Sequence, residues 1–442
     1  MAVPRVRETN YRLANGMRVI LHEDHSAPLV AVDVWYDVGS GDEVPGRSGF
    51  AHLFEHMMFQ GSRHTGEDQH FNILRKAGAS NVNGTTNTDR TNYFEVVPAH
   101  QLETALWLES DRMAWLPDLI SQKSLDNQRE VVRNERRQRY DNVPYGKERF
   151  ALQQLLYGEE HPYRYLTIGR HEDLEQARLS DVQAFFSKWY APSNATLCIA
   201  GDVEEATARR LVEKWFAPFP RMTRPPHSQH APTPLAGPVR QEVRDPFARL
   251  RRVHFAWHSP ANLAMGDAEL DILAHVLGAA GTGRLDRILV QEKQWAQAVT
   301  VTQAGARLSS VFHVIVDLRP EAVVADVEQV VLAEVERART EPIAAAELRR
   351  AVVAIESGFV WGLESLIARA DTLQMYAQLL DKPDSFAADL QRFRDATAET
   401  ILRQARLTLL ATGRAEVVTL PDGTAGAPPP PRAAPVPPRG QP

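Results

Sequence analysis

Cysteine is nearly missing from this chain: Cys198 is the only one in 442 residues. A lone cysteine excludes an intramolecular disulfide and every cysteine-rich zinc site, so a metal here must be held by nitrogen and oxygen. Cys198 lies in the apolar run 195–200 and reads as a buried strand residue rather than a nucleophile. Long hydrophobic runs are missing too. No apolar stretch reaches the ~18 residues of a membrane-spanning helix, and the start, MAVPRVRETNYRL, lacks the apolar core of a secretion signal. The chain is therefore read as cytoplasmic, or as a mature form cut from a longer precursor. There is no excess of positive charge either: 50 Lys and Arg against 56 Asp and Glu leave a formal net charge of -6. That balance argues against nucleic acid as a partner.

What is present describes a globular protein, with 43% hydrophobic and 24% charged residues. A chain of this length predicts about two to three domains, and two is the working number. Residues 11–22 read as a hairpin around Asn15-Gly16, and 28–38 as a strand. A loop over 39–48 leads to a short helix, followed by a second helix over 71–77 and strand-like sequence over 80–97. Helical pattern fills 100–140 with a break near Pro117; a helix over 180–190, a buried strand over 195–201 and a helix over 204–216 follow. Prolines then crowd residues 218–246 without hydrophobic periodicity, which marks a linker. The second part repeats the order: strand 252–257, helix 268–277, strand 311–318, helix 321–338, helical sequence 384–404 and strand 407–411. The fold class is thus α+β, with two similar α/β-sandwich halves, mostly antiparallel sheet under packed helices, facing each other across a cleft. The domains run over 1–220, 221–246 (linker), 247–420 and 421–442, the last a Pro-rich disordered tail. GAAGTG at 278–283 lacks the Lys-Ser/Thr of a phosphate loop and reads as a tight turn.

The stretch that carries chemistry is GFAHLFEHMMFQGS, residues 49–62. At about 100° per residue, His52, Glu55 and His56 lie within ~60° of one another on a helix, so both imidazoles and the carboxylate project into one volume. Ser48 is expected as the N-cap and Gly61 as the terminator. Phe50, Leu53, Phe54, Met57 and Met58 supply an apolar face to bury. H-x-x-E-H reverses the commoner H-E-x-x-H: two neutral histidines ligate zinc, and the glutamate acts as base toward its water. The helical sequence of 100–140 carries, in its second part beyond the break near Pro117, Gln128, Glu130 and Glu135. Glu130 and Glu135 differ by ~140° in helical phase, so only one of them can face a metal; otherwise the charge-rich helix is a solvated surface. In the second half the corresponding helix, AELDILAHVLG, holds only His275, which reads as a packed or capping residue.

Taken together, five segments identify the chain as similar to the pitrilysin/insulinase superfamily of zinc metallopeptidases. They are GFAHLFEHMMFQGS (49–62), NVNGTTNTDRTNYFEVVP (81–98), NQREVVRNERRQ (127–138), HPYRYLTIGRHEDL (161–174) and YAPSNATLCIAGDV (190–203). The resemblance is to the half-length bacterial branch, akin to mitochondrial processing peptidase subunits. It implies one Zn2+ per chain on His52, His56 and Glu135, with Glu55 as catalytic base. It further implies that Asn83, Gly84 and Thr85 bind substrate backbone as an added β-strand. Many members carry a glutamate where this chain has Gln128, a position that hydrogen-bonds a ligating histidine. Active single-chain members also carry an arginine and, seven residues later, a tyrosine; LVQEKQWAQAV at 289–299 puts Val290 and Gln297 there.

The resulting expectation is a zinc endopeptidase that hydrolyses peptides or unfolded segments inside a chamber, of which this chain forms half a clamshell. It is the metal-bearing subunit of a heterodimer whose homologous partner lacks the zinc motif and supplies the Arg/Tyr pair; a homodimer is the runner-up. A non-catalytic assembly subunit and a zinc hydrolase of a non-peptide substrate are the alternatives. The bacterial branch places the chain in the periplasm if a signal peptide has been removed, otherwise in the cytoplasm.

Overall fold

The computed structural model describes residues 6–422. The expected tail therefore lies, from residue 423 on, outside the described residues. The first half contains strands β1 (Thr9–Arg12), β2 (Arg18–Glu23), β3 (Leu29–Tyr36), β4 (Ser80–Thr86), β5 (Thr91–Pro98) and β6 (Ala195–Gly201). Its helices are α1 (Phe50–Met57), α2 (Gln69–Lys76), α3 (Leu102–Trp115), α4 (Gln122–Arg136), α5 (Gly146–Leu156), α6 (His171–Glu175), α7 (Leu179–Trp189) and α8 (Glu205–Phe216). The second half has β7 (Val239–Asp245), β8 (Arg252–Ser259), β9 (Ala296–Ala304), β10 (Ser310–Leu318) and β11 (Arg414–Pro421). Around them lie α9 (Asp267–Gly278), α10 (Val324–Thr340), α11 (Ala345–Gly362), α12 (Leu366–Leu380), α13 (Phe386–Asp395) and α14 (Ala398–Thr408). The β1–β2 hairpin turns at Gly16, whose φ of +95° only glycine adopts freely, while Asn15 Oδ1 accepts the Met17 N–H at 3.1 Å.

The two sheets have one topology. Strand order is β1-β2-β6-β3-β5-β4 in the first and β7-β11-β8-β10-β9 in the second. Only β2/β6 and β7/β11 pair parallel; every other pair is antiparallel. Superposing the orders makes β7 the counterpart of β2, so the repeat begins inside the stretch expected as linker. That strand escaped the pattern because VRQEVRD occupies an edge and buries only Val243 and Asp245. Two further corrections fall in the second half. The sequence over 384–404 forms two helices, not one, because Thr397 caps α14 by accepting from Thr400 N at 3.1 Å. Residues 407–411 are the end of α14 and a turn rather than a strand: Leu407 is exposed, and the apolar strand follows as β11.

Each sheet is covered on both faces, and one face of each is covered by the other half. On the first sheet Val30, Val32 and Val34 of β3 pack with Phe54, Met57 and Leu106 under the first half's own helices. The reverse face, with Ile20, Ala31, Val96 and Cys198, is closed by Leu373, Tyr376 and Ala377 of α12. Reciprocally, Ala151, Leu152 and Leu156 of α5 close Val243, Ala256, Val311 and Val417 on the second sheet. Burying one such leucine contributes about 1.5–3 kcal/mol, so separating the halves would uncover one apolar sheet face on each. Polar contacts finish the join: Asp37 at the end of β3 receives Gln378 at 2.7 Å, Arg307 at 3.2 Å and His227 at 3.1 Å.

Candidate metal centre

Helix α1 starts at Gly49, which takes φ +88°. Ser48 does not cap it, contrary to expectation: its Oγ donates to Asp173 Oδ2 at 2.5 Å. A glycine N-cap has no side chain to offer, and Glu43 from the preceding loop fills the role, accepting Gly49 N at 3.0 Å and Ala51 N at 2.8 Å. Phe50, Leu53, Phe54 and Met57 face the core, which turns His52, Glu55 and His56 toward α4 and β4.

The three side chains converge with Glu135. His56 Nε2 lies 3.3 Å from Glu135 Oε2 and His52 Nε2 lies 3.7 Å from Glu135 Oε1. The two imidazole planes stand at 78° with centroids 4.8 Å apart. Donors at 2.0–2.2 Å round a tetrahedral zinc sit about 3.3–3.5 Å from each other, so these residues fit the ion. Glu130 does not approach: its Oε1 pairs with Arg133 Nη1 at 2.6 Å on the outer face of α4. Glu55 belongs to the same cluster, its carboxylate oxygen within 4.8 Å of the histidine nitrogens. Thr86 Oγ1 donates to Glu55 Oε2 at 2.6 Å and holds that carboxylate on the β4 side.

Burial, helped by the neighbouring His56, pushes His52 down to about 4, so its ring is neutral and free to ligate. Burial raises Glu55 above the usual carboxylate range against the opposing pull of the Thr86 bond. Burial also acts to raise Glu135, but His56, His52 and Arg139 together outweigh it and hold this carboxyl below its ordinary value.

The cluster opens into a pocket of about 460 Å³ whose walls include Asn83, Gly84, Thr85 and Gln128. β4 is the edge strand and pairs only with β5, so its outer edge can accept another strand. A Cβ on Gly84 would lie 3.1 Å from side-chain atoms of Glu55, Phe59 and Tyr93, so any larger residue there would push these side chains by a few tenths of an ångström. Gln128 stands in the wall, but His52 Nδ1 is buried without a hydrogen-bond partner, so the expected ring-orienting bond from Gln128 is not made. Sequence reasoning missed Thr86, Arg139 and the stacked pair Phe59/Phe71, centroids 4.7 Å apart. Thr86 shares a strand face with Gly84 by the two-residue period, and that signal was available.

A second group of ligand-type atoms, on buried His70, Glu95 and Glu109, also lies within 4.8 Å. Its cation is already supplied by Arg112, which donates through Nε to Glu109 Oε2 at 3.0 Å and stands 4.4 Å over the Tyr93 ring. In the second half no such group occurs among the described residues. His275 is half-buried there, Val290 packs against the second core, and Gln297 is exposed on β9. Among the described residues no single helix is long and apolar enough to cross a membrane.

Comparison with known proteins follows the same division. Residues 18–154 match the family described as insulinase (peptidase family M16), and residues 177–354 match the peptidase M16 inactive domain. The zinc protease PqqE of Helicobacter pylori is 28% identical over 402 residues, covering 89% of this chain and 88% of that protein. Human insulin-degrading enzyme is 24% identical over 338 residues; the match takes in 72% of this chain but only 32% of the enzyme. Among solved structures, a protease from Helicobacter pylori superposes with a TM-score of 0.87 at 26% identity, over 94% of this chain and 100% of that one.

Proposed function

Because the chain belongs to the insulinase (M16) family of peptidases, we propose that it is a zinc-dependent endopeptidase acting on peptides or unfolded polypeptide segments. The observation that carries this reading is the division of labour between two carboxylates: Glu135 spans the histidine Nε2 atoms at 3.3 and 3.7 Å, while Thr86 holds Glu55 toward the substrate edge. His52, Glu55, His56, Thr86 and Glu135 all lie within the 18–154 match and outside the inactive-domain match.

His52, His56 and Glu135 would hold the ion. Zinc, when bound, lowers the pKa of its water toward 7 and polarises the scissile carbonyl. Glu55 accepts the proton of the attacking water and passes it to the leaving amine, a transfer for which a buried carboxyl with a raised pKa is suited. Asn83 to Thr85 offer backbone groups on the free edge of β4, so a peptide adds as a strand and is selected for being extended.

With Val290 and Gln297 at the positions considered for oxyanion donors, we assign those donors to a homologous second subunit closing a chamber over the pocket. Losing one such donor costs about 10² to 10³ in rate, so the isolated chain should be slow. The test is cleavage of an unfolded polypeptide such as casein, followed by mass spectrometry, with the chain alone and with its paralogue. Chelator-sensitive, zinc-restored cleavage that rises with the paralogue supports the reading. No cleavage in either state, with zinc bound, would favour a non-catalytic assembly role instead.

A further inference from the structure

The pocket contains one charged side chain that the proposed chemistry leaves unused. Arg139 follows Glu135 by one helical turn, on the π-turn Arg137–Asp141 that extends α4, and its Nη1 lies 2.8 Å from Glu135 Oε1. Such π-turns recur at functional sites. Arg139 lines the same pocket as His52, Glu55 and His56, yet its side chain is 70% exposed. Among the described residues Glu135 is the only carboxylate it reaches. A guanidinium carries five N–H donors, so most of its fork remains open to the pocket. The charge balance points the same way. A dication, the Glu135 and Glu55 carboxylates and Arg139 would together leave the pocket with a net positive charge.

We propose that Arg139 is a specificity residue that receives a carboxylate of the substrate beside the scissile bond, so that the site prefers acidic peptides. This inference rests on the peptidase reading for the identity of the ligand, but not on turnover. A carboxylate paired with a guanidinium forms two parallel charge-assisted bonds, a geometry that a neutral amide or a lysine cannot match. The carboxylate comes either from an Asp or Glu side chain or from the peptide's own C-terminus, and the two sources are separable. A purely structural Arg139 would instead serve only as an i,i+4 partner of Glu135 and would affect zinc alone.

The experiment uses the zinc-loaded Glu55→Gln chain, with its complementary subunit if activity requires one, and reads binding of a labelled unstructured peptide by fluorescence anisotropy. Four peptides are compared: one with Glu flanking the cleavage point, its Gln counterpart, its Lys counterpart, and the Glu peptide with an amidated C-terminus. The Glu peptide should bind about tenfold more tightly than the Gln peptide. Arg139→Gln should bring that ratio to about one, and Arg139→Glu should reverse it in favour of the Lys peptide, both variants being loaded to the wild-type zinc content before the peptides are added. If the Glu and Gln peptides bind alike but amidation weakens binding about tenfold, the C-terminus is the source. A preference unchanged in Arg139→Gln, neither a Glu/Gln ratio nor an effect of amidation to begin with, or a preference lost only together with zinc overturns the inference. A ratio that behaves as expected in a chain that cleaves nothing as wild type would leave the inference standing and remove the peptidase reading instead.

Discussion

Substituting the two glutamates of α4 separately tests the metal centre at its least self-evident ligand. Glu135 sits with its side chain 17% exposed between two imidazoles, whereas Glu130 is 53% exposed and bonded only to Arg133. An exposed i,i+3 pair of that kind is worth about 0.3–0.5 kcal/mol, so Glu130→Gln should leave zinc affinity, activity and melting temperature almost unchanged. Glu135→Gln replaces an anionic ligand by a neutral amide. Residues that merely orient a ligand already cost 10–100-fold in metal affinity when lost, and a ligand should cost at least about 100-fold. At a fixed free-zinc level well above Kd, a 100-fold weakening removes about 2.7 kcal/mol of zinc-dependent stabilisation. The assay is a melting curve in zinc-buffered solution, with bound zinc measured alongside. Wild type and Glu130→Gln should gain the same stabilisation from zinc, and Glu135→Gln much less. If Glu130→Gln were the variant that lost zinc, the helical register argued here would be wrong.

Other substitutions probe the surroundings of the site. Thr86→Val removes a hydrogen bond that favours ionised Glu55, so the acid limb of kcat/KM should move to higher pH; an unmoved limb would deny Thr86 its role in holding the base. Arg112→Met leaves Glu95 and Glu109 buried without their cation and should destabilise the fold by about 3–5 kcal/mol. Burial holds both carboxyls above their unfolded pKa, and a raised acid loses stability as pH rises through its folded value, so this loss should be larger at alkaline than at mildly acidic pH in chemical denaturation. Leu373→Ala, in the helix that the second half lays on the first sheet, should cost about 2–5 kcal/mol and weaken a single cooperative transition; a separate early transition of the second half would contradict the interlocked core.

What could be read without coordinates follows from the range of each interaction. His52, Glu55 and His56 are fixed by spacing along one helix, so their convergence is local and was legible. The repeat was legible as an order of elements, except where β7 hid at an edge with one strongly buried apolar residue. Glu135 is different: its phase separates it from Glu130, but which phase faces α1 depends on how two helices pack, and only the family resemblance chose between them. The capping error at Ser48 has the same origin, since Glu43 reaches α1 from a loop and no helix-start pattern encodes that. The exchange of α5 and α12 between halves was not legible at all. An apolar face on a helix announces that something covers it, without saying which sheet.

The most direct test of the metal centre is Glu55→Gln in the otherwise intact chain, assayed for bound zinc and for cleavage of an unfolded polypeptide under conditions where wild type is active. Thr86 holds Glu55 on the β4 side while Glu135 spans the two histidines, so the variant should keep its zinc while turnover falls by about 10² to 10⁴. Loss of zinc together with activity, or activity that survives the substitution, would contradict the assignment of Glu55 as base beside a His52, His56 and Glu135 metal site.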